Sequence, residues 1–196
     1  MTVHVLHVRA KNPYHCPEVS TVSNYGGIYT DLSPFVLGPV QTYIPDVLAQ
    51  KFENLWQYSK VYSEHVDDDD GWPSADWYIW RARGWMDRKA HRYPMGRGRK
   101  PEYSLWDIEK LGYIDARKQI YAKVYAEHVV KTRSYEFLSK LYSVRGEVVL
   151  RDYDAYDHIR LGMSLVDVIS NPNRIMGHAF VLAMLLEGCL DKCVRS

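Results

Sequence analysis

Four residues near position 55 have types and a spacing that could carry out chemistry: Glu53, Trp56, Gln57 and Lys60. On a helix, residues three, four and seven positions apart share one face, so a carboxylate, an indole, an amide and an amine could line one wall. The plain alternative is a solvated stripe in which the three polar side chains form a hydrogen-bonded relay, and spacing alone favours it. The apolar neighbour Leu55 indicates that part of the set lies near the buried side, where a charged group needs partners.

A second polar group lies near the end of a predicted strand. Asp152, Asp154, Asp157 and His158 form a D-x-D-x-x-D-H pattern, which is compatible with Mg²⁺ bound through phosphates. A loop that exposes carboxylates is commoner than a metal site, and the same holds for the acidic run at 67–70. We therefore expect no metal ion and no cofactor.

A basic stretch at 81–100 holds eight Lys and Arg residues and one acid, Asp87. Such a stretch is a candidate contact for phosphate or nucleic acid. The alternative is a solvated arm that balances the acidic run, and the sequence weighs the two interpretations equally.

The composition excludes several classes of protein. The chain has 196 residues, 46% of them hydrophobic, and a formal net charge of +1, so it can fill a sizeable core and has no overall attraction to nucleic acid or acidic membranes. The sequence has no apolar run long enough for a membrane span and no signal-peptide pattern at 1–20, so we expect a cytoplasmic protein. Cys16, Cys189 and Cys193 form no C-x-x-C pair, which favours reduced thiols over disulfides or a zinc knuckle. Serine hydrolase, zincin, P-loop and Rossmann signatures are absent.

Hydrophobic periodicity and turn residues predict an α+β, predominantly helical fold with a single domain over 1–196. Residues 1–43 form a part rich in strands and loops, and 44–190 form a mostly helical body. The predicted elements are a strand at 3–9, turns and short strands at 11–43, helices at 44–66 and 74–90, helices over much of 105–143 with a capping box at Ser104 and Asp107, a strand at 147–152, and helices near 163–170 and 175–190.

Several of these motifs, taken together, resemble the NADAR (YbiA-like) superfamily. The similar positions are Leu32-Ser33-Pro34-Phe35, the Gly38-Pro39 turn, the E-x-x-W-Q-x-x-K element at 53–60, Ala116–Lys118, Val130–Thr132, the acidic segment at 152–157, and the glycine and apolar helix at 177–184. This chain has Asn54 where the family usually has histidine, and its acidic segment lacks the tryptophan of the family's D-x-x-W-G motif.

The resemblance implies an N-glycosidase that cleaves a ribosyl–base or ADP-ribosyl–base bond. Cleavage passes through an oxocarbenium-like state. A carboxylate can stabilise the positive charge of this state, or it can activate the water that attacks it. Glu53 is the candidate carboxylate, with Asp154 or Asp157 as a second acid. Lys60 would hold a phosphate or attack the opened sugar as a Schiff-base amine.

The resemblance also implies a substrate-binding set. Trp56 would stack on the base, Gln57 would hydrogen-bond to sugar or base, and two arginines of the basic stretch would clamp a pyrophosphate. The full predicted set is Ser33, Phe35, Trp56, Gln57, Arg92, Arg97 and His178.

Two alternatives remain open at this stage. The first is a non-catalytic module that binds ADP-ribose, a nucleotide or nucleic acid on the same scaffold. The second is a Mg²⁺-assisted enzyme that uses the segment 152–158. The expected partner is a nucleotide-like or ADP-ribosylated substrate, with nucleic acid as a further candidate for the basic stretch at 81–100, and no membrane.

Overall fold

The computed structural model describes residues 1–25, 27–67 and 69–196. Gly26 and Asp68, which belong to a predicted turn region and to the predicted acidic loop, lie outside the described residues. The strands of the described part are β1 (Thr2–His7), β2 (Glu18–Ser20), β3 (Val40–Gln41), β4 (Leu48–Ala49), β5 (Lys60–Val61), β6 (Tyr103–Trp106), β7 (Glu109–Leu111) and β8 (Glu147–Asp152). Its α-helices are α1 (Phe52–Tyr58), α2 (Ala75–Met86), α3 (Tyr113–Ala116), α4 (Lys123–Val129), α5 (Arg133–Arg145), α6 (Leu165–Ser170), α7 (His178–Leu186) and α8 (Leu190–Arg195). Short 3₁₀ helices span Gly27–Leu32 and Ser63–His65, and a π-helix spans Arg117–Ala122.

The fold is α+β, as predicted, with more residues in helices than in strands. The chain divides into two compact units. The first unit combines 1–33 with 117–196, and the second is the continuous stretch 34–116. A single domain over the whole chain stays a prediction. Among the described residues, no helix combines the length and the apolar character needed to cross a membrane.

In the first unit, β8 lies between β1 and β2 and pairs with both in parallel. A parallel strand that is covered on both faces is apolar almost throughout. The run at 148–150 is fully buried for this reason. Helix α7 packs against β1 and β8, and its residues from His178 to Met184 are all buried. The predicted strand at 147–152 and the predicted apolar helix near the end of the chain are confirmed.

The first unit also has clear helix boundaries. The hydroxyl of Thr132 accepts a hydrogen bond from the Tyr135 amide and caps the start of α5. The helix ends at Gly146, whose φ of 74° is a left-handed conformation that glycine adopts without strain. Ser164 and Asp167 form a capping box at α6. The capping box predicted at Ser104 is wrong, because that serine lies in β6.

In the second unit, the helix predicted over 44–66 is wrong in its extent. Only Phe52–Tyr58 is α-helical, because the residues on either side pair with other strands, and Ser63–His65 forms a short 3₁₀ helix. Leu48–Ala49 pairs with β3, and Lys60–Val61 pairs with β6. The predicted helical character of 105–111 is also wrong, because these residues form the hairpin of β6 and β7. The helix predicted at 74–90 is confirmed for Ala75–Met86.

Candidate functional site

The start of α1 places Glu53 in the interior of the second unit. The backbone amide of Phe52 donates to the carbonyl of Leu37, and the amide of Glu53 donates to that of Pro34. The segment after Ser33 is thus fixed to the first turn of the helix. Only 5% of Glu53 is exposed. A buried carboxylate is costly without hydrogen bonds, so the surrounding donors determine what it can do.

Gln57 and Lys60 supply a chain of hydrogen bonds that begins at this carboxylate. The Gln57 Nε2 donates to the Glu53 Oε1 over 2.8 Å. The Lys60 Nζ donates to the Gln57 Oε1 over 2.7 Å. The Gln57 amide therefore connects the Glu53 acid to the Lys60 amine. Its NH₂ group faces the carboxylate, and its carbonyl oxygen faces the amine. We call Glu53, Gln57 and Lys60 the relay.

Lys60 reaches the relay from a strand and not from the predicted helix. Helix α1 ends at Tyr58 and is followed by Ser59, whose Oγ donates to the Leu55 carbonyl over 2.7 Å. The next residue enters β5, and its carbonyl accepts a hydrogen bond from the Trp77 indole. The Lys60 side chain then turns back so that its Nζ lies 4.6 Å from the centroid of the Trp56 ring. This distance is typical of a cation–π contact.

The environment of Lys60 makes its amine easier to deprotonate than that of an exposed lysine. Burial lowers the pKa of this half-buried lysine to about 8, although the negative charge of Glu53 opposes the change. Near neutral pH, a lysine with this pKa holds a minor but usable fraction of its amine without a proton. The relay thus combines a buried carboxylate with an amine that can act as a base or a nucleophile.

Asn54 has a structural role in the second unit. The residue is fully buried, and its Nδ2 donates to the carbonyls of Asp87 and Lys89 over 3.0 and 2.8 Å. Its Oδ1 accepts from the amide of His91 over 2.8 Å. Asn54, which stands where the NADAR superfamily usually has histidine, therefore holds in place the part of the basic stretch that directly follows α2.

The basic stretch is divided between structural and exposed arginines. Arg81 is buried, and its guanidinium lies within 5.5 Å of the ring centroids of Tyr43, Trp77, Tyr78 and Trp85. Arg99 is paired with Glu64, with both oxygens 2.5 Å from the Nη2. Arg97 is exposed, and the half-buried Arg92 lies 5.4 Å from the Tyr93 ring centroid. Arg81 is therefore excluded as a phosphate contact, while Arg92 and Arg97 stay predicted ones.

In the first unit, Asp152 is a structural anchor at the end of β8. Its Oδ2 lies 3.0 Å from the His178 Nδ1 and accepts from the Ala179 amide, and its Oδ1 accepts from the Asp154 amide. Burial acts to raise the pKa of Asp152, but the His178 charge and these hydrogen bonds outweigh it and lower the pKa to about 2. The His178 Nε2 lies 2.9 Å from the Thr21 carbonyl oxygen. Both ring nitrogens of His178 therefore face acceptor atoms, and a ring with a proton on each nitrogen donates to both.

The other predicted residues of the first unit have the following positions. Asp157 accepts hydrogen bonds from the Tyr14 hydroxyl over 2.6 Å and from the Arg160 amide. The half-buried Asp154 accepts the Gly177 amide at its backbone carbonyl. Ser33 is buried, and its amide donates to the Thr30 carbonyl; Phe35, in the second unit, is half-buried.

The predicted acidic segment gives no support to a Mg²⁺ site. Within the described residues, the carboxylates of 152–157 and the ring of His158 do not converge as metal ligands. Both oxygens of Asp152 already have partners. The sequence reasoning missed the pairing of Asp152 with His178. The usable signal was a buried strand that ends in aspartate, together with a Gly-His start of an apolar helix.

Of the predicted site residues, the structure brings Glu53, Trp56, Gln57 and Lys60 together in the second unit. No family model matches this chain, and comparison with the curated proteins and with the solved structures gives no significant match.

Proposed function

We propose that the chain is an N-glycosidase that cleaves a ribosyl–base or ADP-ribosyl–base bond at the relay of the second unit. The observation that carries the proposal is the buried Glu53 carboxylate, which Gln57 connects to an amine of lowered pKa. A surface stripe would leave these groups in water, where neither would have a defined position. The resemblance of 53–60 to the NADAR element adds support.

The chemistry needs a carboxylate at the carbon that develops positive charge. As the bond between the sugar carbon and the base nitrogen breaks, the Glu53 carboxylate stabilises the oxocarbenium-like state. A water then forms the new carbon–oxygen bond and gives one proton to the Glu53 carboxylate, and that proton passes to the departing base, which regenerates the carboxylate. Gln57 holds the carboxylate in place throughout, because its Nε2 occupies one carboxylate oxygen.

Trp56 and Lys60 suit the recognition of the substrate. An indole offers a stacking surface for a base, and its contact with the Lys60 ammonium keeps positive charge beside that surface. The protonated amine would bind a phosphate, and the neutral amine would attack an opened sugar aldehyde. With a pKa of about 8, both forms exist near neutral pH.

The test is product analysis with ADP-ribosylated DNA, with Glu53→Gln as the variant and Glu102→Gln as the matched control. Glu102 is exposed, so its replacement should leave release of free ADP-ribose at the wild-type rate. Glu53→Gln should lose about 10³-fold or more in turnover, the scale of removing one strong electrostatic contribution. Its affinity for the substrate should stay close to wild type, because the amide keeps the shape of the side chain.

Turnover at the wild-type rate in Glu53→Gln would remove Glu53 from the mechanism. Tight binding of the substrate by the wild-type protein without any product would instead favour the non-catalytic module. Thermal shifts with ADP-ribose, measured with and without Mg²⁺, separate both outcomes from a metal-assisted enzyme, which would need the ion for its response.

A further inference from the structure

Three side chains with different metal-ligand chemistry meet in the first unit: His4, Cys16 and Glu147. One ligand atom from each lies within 4.8 Å of the other two. The His4 Nε2 lies 2.6 Å from the Glu147 Oε1. This is the only such group of three or more histidine, cysteine and acidic side chains among the residues that the structure describes. It shares no residue with the relay.

The parallel sheet explains why residues so far apart in sequence meet. Thr2 is paired with Glu147, and His4 with Val149, so His4 and Glu147 lie on the same face of the sheet. On the other side of β8, Glu18 is also paired with Val149. Counting back two residues along this register places Cys16 beside Glu147, again on the same face. One ligand thus comes from β8, and one from each segment that flanks it.

Local contacts hold these ligands in position before any ion arrives. The ring of Tyr14 stacks on the His4 imidazole with centroids 3.5 Å apart and planes at 16°. The Asn12 side chain donates to the Cys16 carbonyl and accepts the Tyr14 amide, which fixes the loop that carries the thiol. Only 4% of His4 is exposed, and its Nδ1 is buried without a hydrogen-bond partner among the described residues. The other ring nitrogen, Nε2, is the one that faces the Glu147 carboxylate.

We propose that His4, Cys16 and Glu147 bind a divalent cation of borderline softness, with Zn²⁺ as the best fit. A thiolate, an imidazole and a carboxylate are all ligands of Zn²⁺, and three protein ligands leave a fourth tetrahedral position for water. Mg²⁺ and Ca²⁺ prefer oxygen ligands and fit this set poorly. Binding replaces the thiol proton of Cys16 by the metal and releases that proton. The ion would fasten the loop at 8–17 to the sheet.

The first experiment uses Co²⁺ as a spectroscopic probe of the purified protein. Co²⁺ bound to a thiolate gives a sulfur-to-metal charge-transfer band and tetrahedral d–d bands, which added Zn²⁺ should abolish. The variant is Cys16→Ser and the matched control is Cys189→Ser, which changes a half-buried thiol outside the cluster. The control should keep the charge-transfer band at wild-type intensity. Cys16→Ser should lose the band, and its Kd for Zn²⁺ should rise more than about 100-fold. This rise exceeds the loss of affinity that is typical when a residue that only hydrogen-bonds to a ligand is replaced.

The second experiment needs no substitution and therefore does not depend on the folding of a variant. Alkylation of the wild-type protein by iodoacetamide is followed at each cysteine by peptide mass spectrometry, with and without Zn²⁺. Zn²⁺ should slow the alkylation of Cys16 at least tenfold and leave Cys189 unchanged. The proposal is overturned if the wild type gives no cobalt band, if Cys16→Ser keeps the band, or if protection falls on Cys189 and not on Cys16.

Discussion

Replacing Lys60 with methionine isolates the electrostatic cost of placing an amine in the relay. Methionine keeps an unbranched apolar stem of nearly the same length and removes the charged amine. Lysine has an ordinary pKa of 10.5, and burial lowers that of Lys60 to about 8. Between these two values, the unfolded chain holds a proton that the folded chain has released. The free energy of unfolding of the wild type should therefore rise as the pH rises from about 8 to about 10.5.

The size of this rise follows from the same two values. Each pH unit between them corresponds to about 1.4 kcal/mol, so Lys60 sets an upper limit of about 3 kcal/mol. The side chain is half-buried, and solvent screening lowers the expected rise to about 2 kcal/mol. The contribution is complete above the unfolded pKa and is lost as the pH falls through about 8.

The assay is urea denaturation of the wild type and of Lys60→Met from about pH 7 to about pH 10.5. Other groups also titrate in this range, so the informative quantity is the difference between the two curves, which should grow with pH. Lys140→Met, at an exposed position of α5, serves as the control and should follow the wild type. Parallel curves for the wild type and Lys60→Met would refute the lowered pKa of Lys60, and with it the role of the neutral amine.

Three further substitutions test individual contacts. Asn54→Ala removes three hydrogen bonds to the segment after α2 and should lower the free energy of unfolding by about 2–3 kcal/mol, with faster tryptic cleavage at 88–92; an unchanged urea midpoint would contradict the anchoring role. Gly84→Ala places a Cβ 2.1 Å from the Tyr58 ring and should cost about 1–3 kcal/mol in thermal denaturation, whereas Gly112→Ala, whose nearest contact is at 3.9 Å, should cost much less. Asp152→Asn should cost about 3 kcal/mol at pH 7, because it removes the charged partner of the buried His178 ring. The wild type should lose the Asp152 contribution as the pH falls from about 4 through about 2, and acid titration of the variant should lack that step.

Local sequence signals predicted the parts of the fold that local interactions determine. The strand Glu147–Asp152 follows from the apolar run at 148–150, which begins two residues after Gly146. The prediction of a helix over 44–66 was wrong because β4 and β5 have only two residues each. A strand this short shows no recognisable alternation of polar and apolar residues. Their pairing depends on residues at 40–41 and 103–104, which periodicity within a short window does not reveal.

The candidate site shows the same division. The contact between Glu53 and Gln57 follows from their four-residue spacing on a helix. Lys60 was predicted on the same helical face, and it contacts Gln57 although it lies in a strand, because the chain turns at Ser59. The meeting of His4 with Glu147 depends on strand pairing across 143 positions, and no local pattern could predict it.

The central position of β8 also has a consequence for the order in which the chain is made. Both strands that flank it, β1 and β2, leave the ribosome first, and their common partner follows more than a hundred residues later. At about 5–20 residues per second, this delay is about six to thirty seconds. During that time β1, with its apolar run, has an unpaired edge that is open to pairing with other chains. The continuous stretch 34–116 emerges within the delay, so its contacts can form before the sheet is complete. In a nascent chain, β1 and β2 therefore stay without their native partner until Asp152 has emerged.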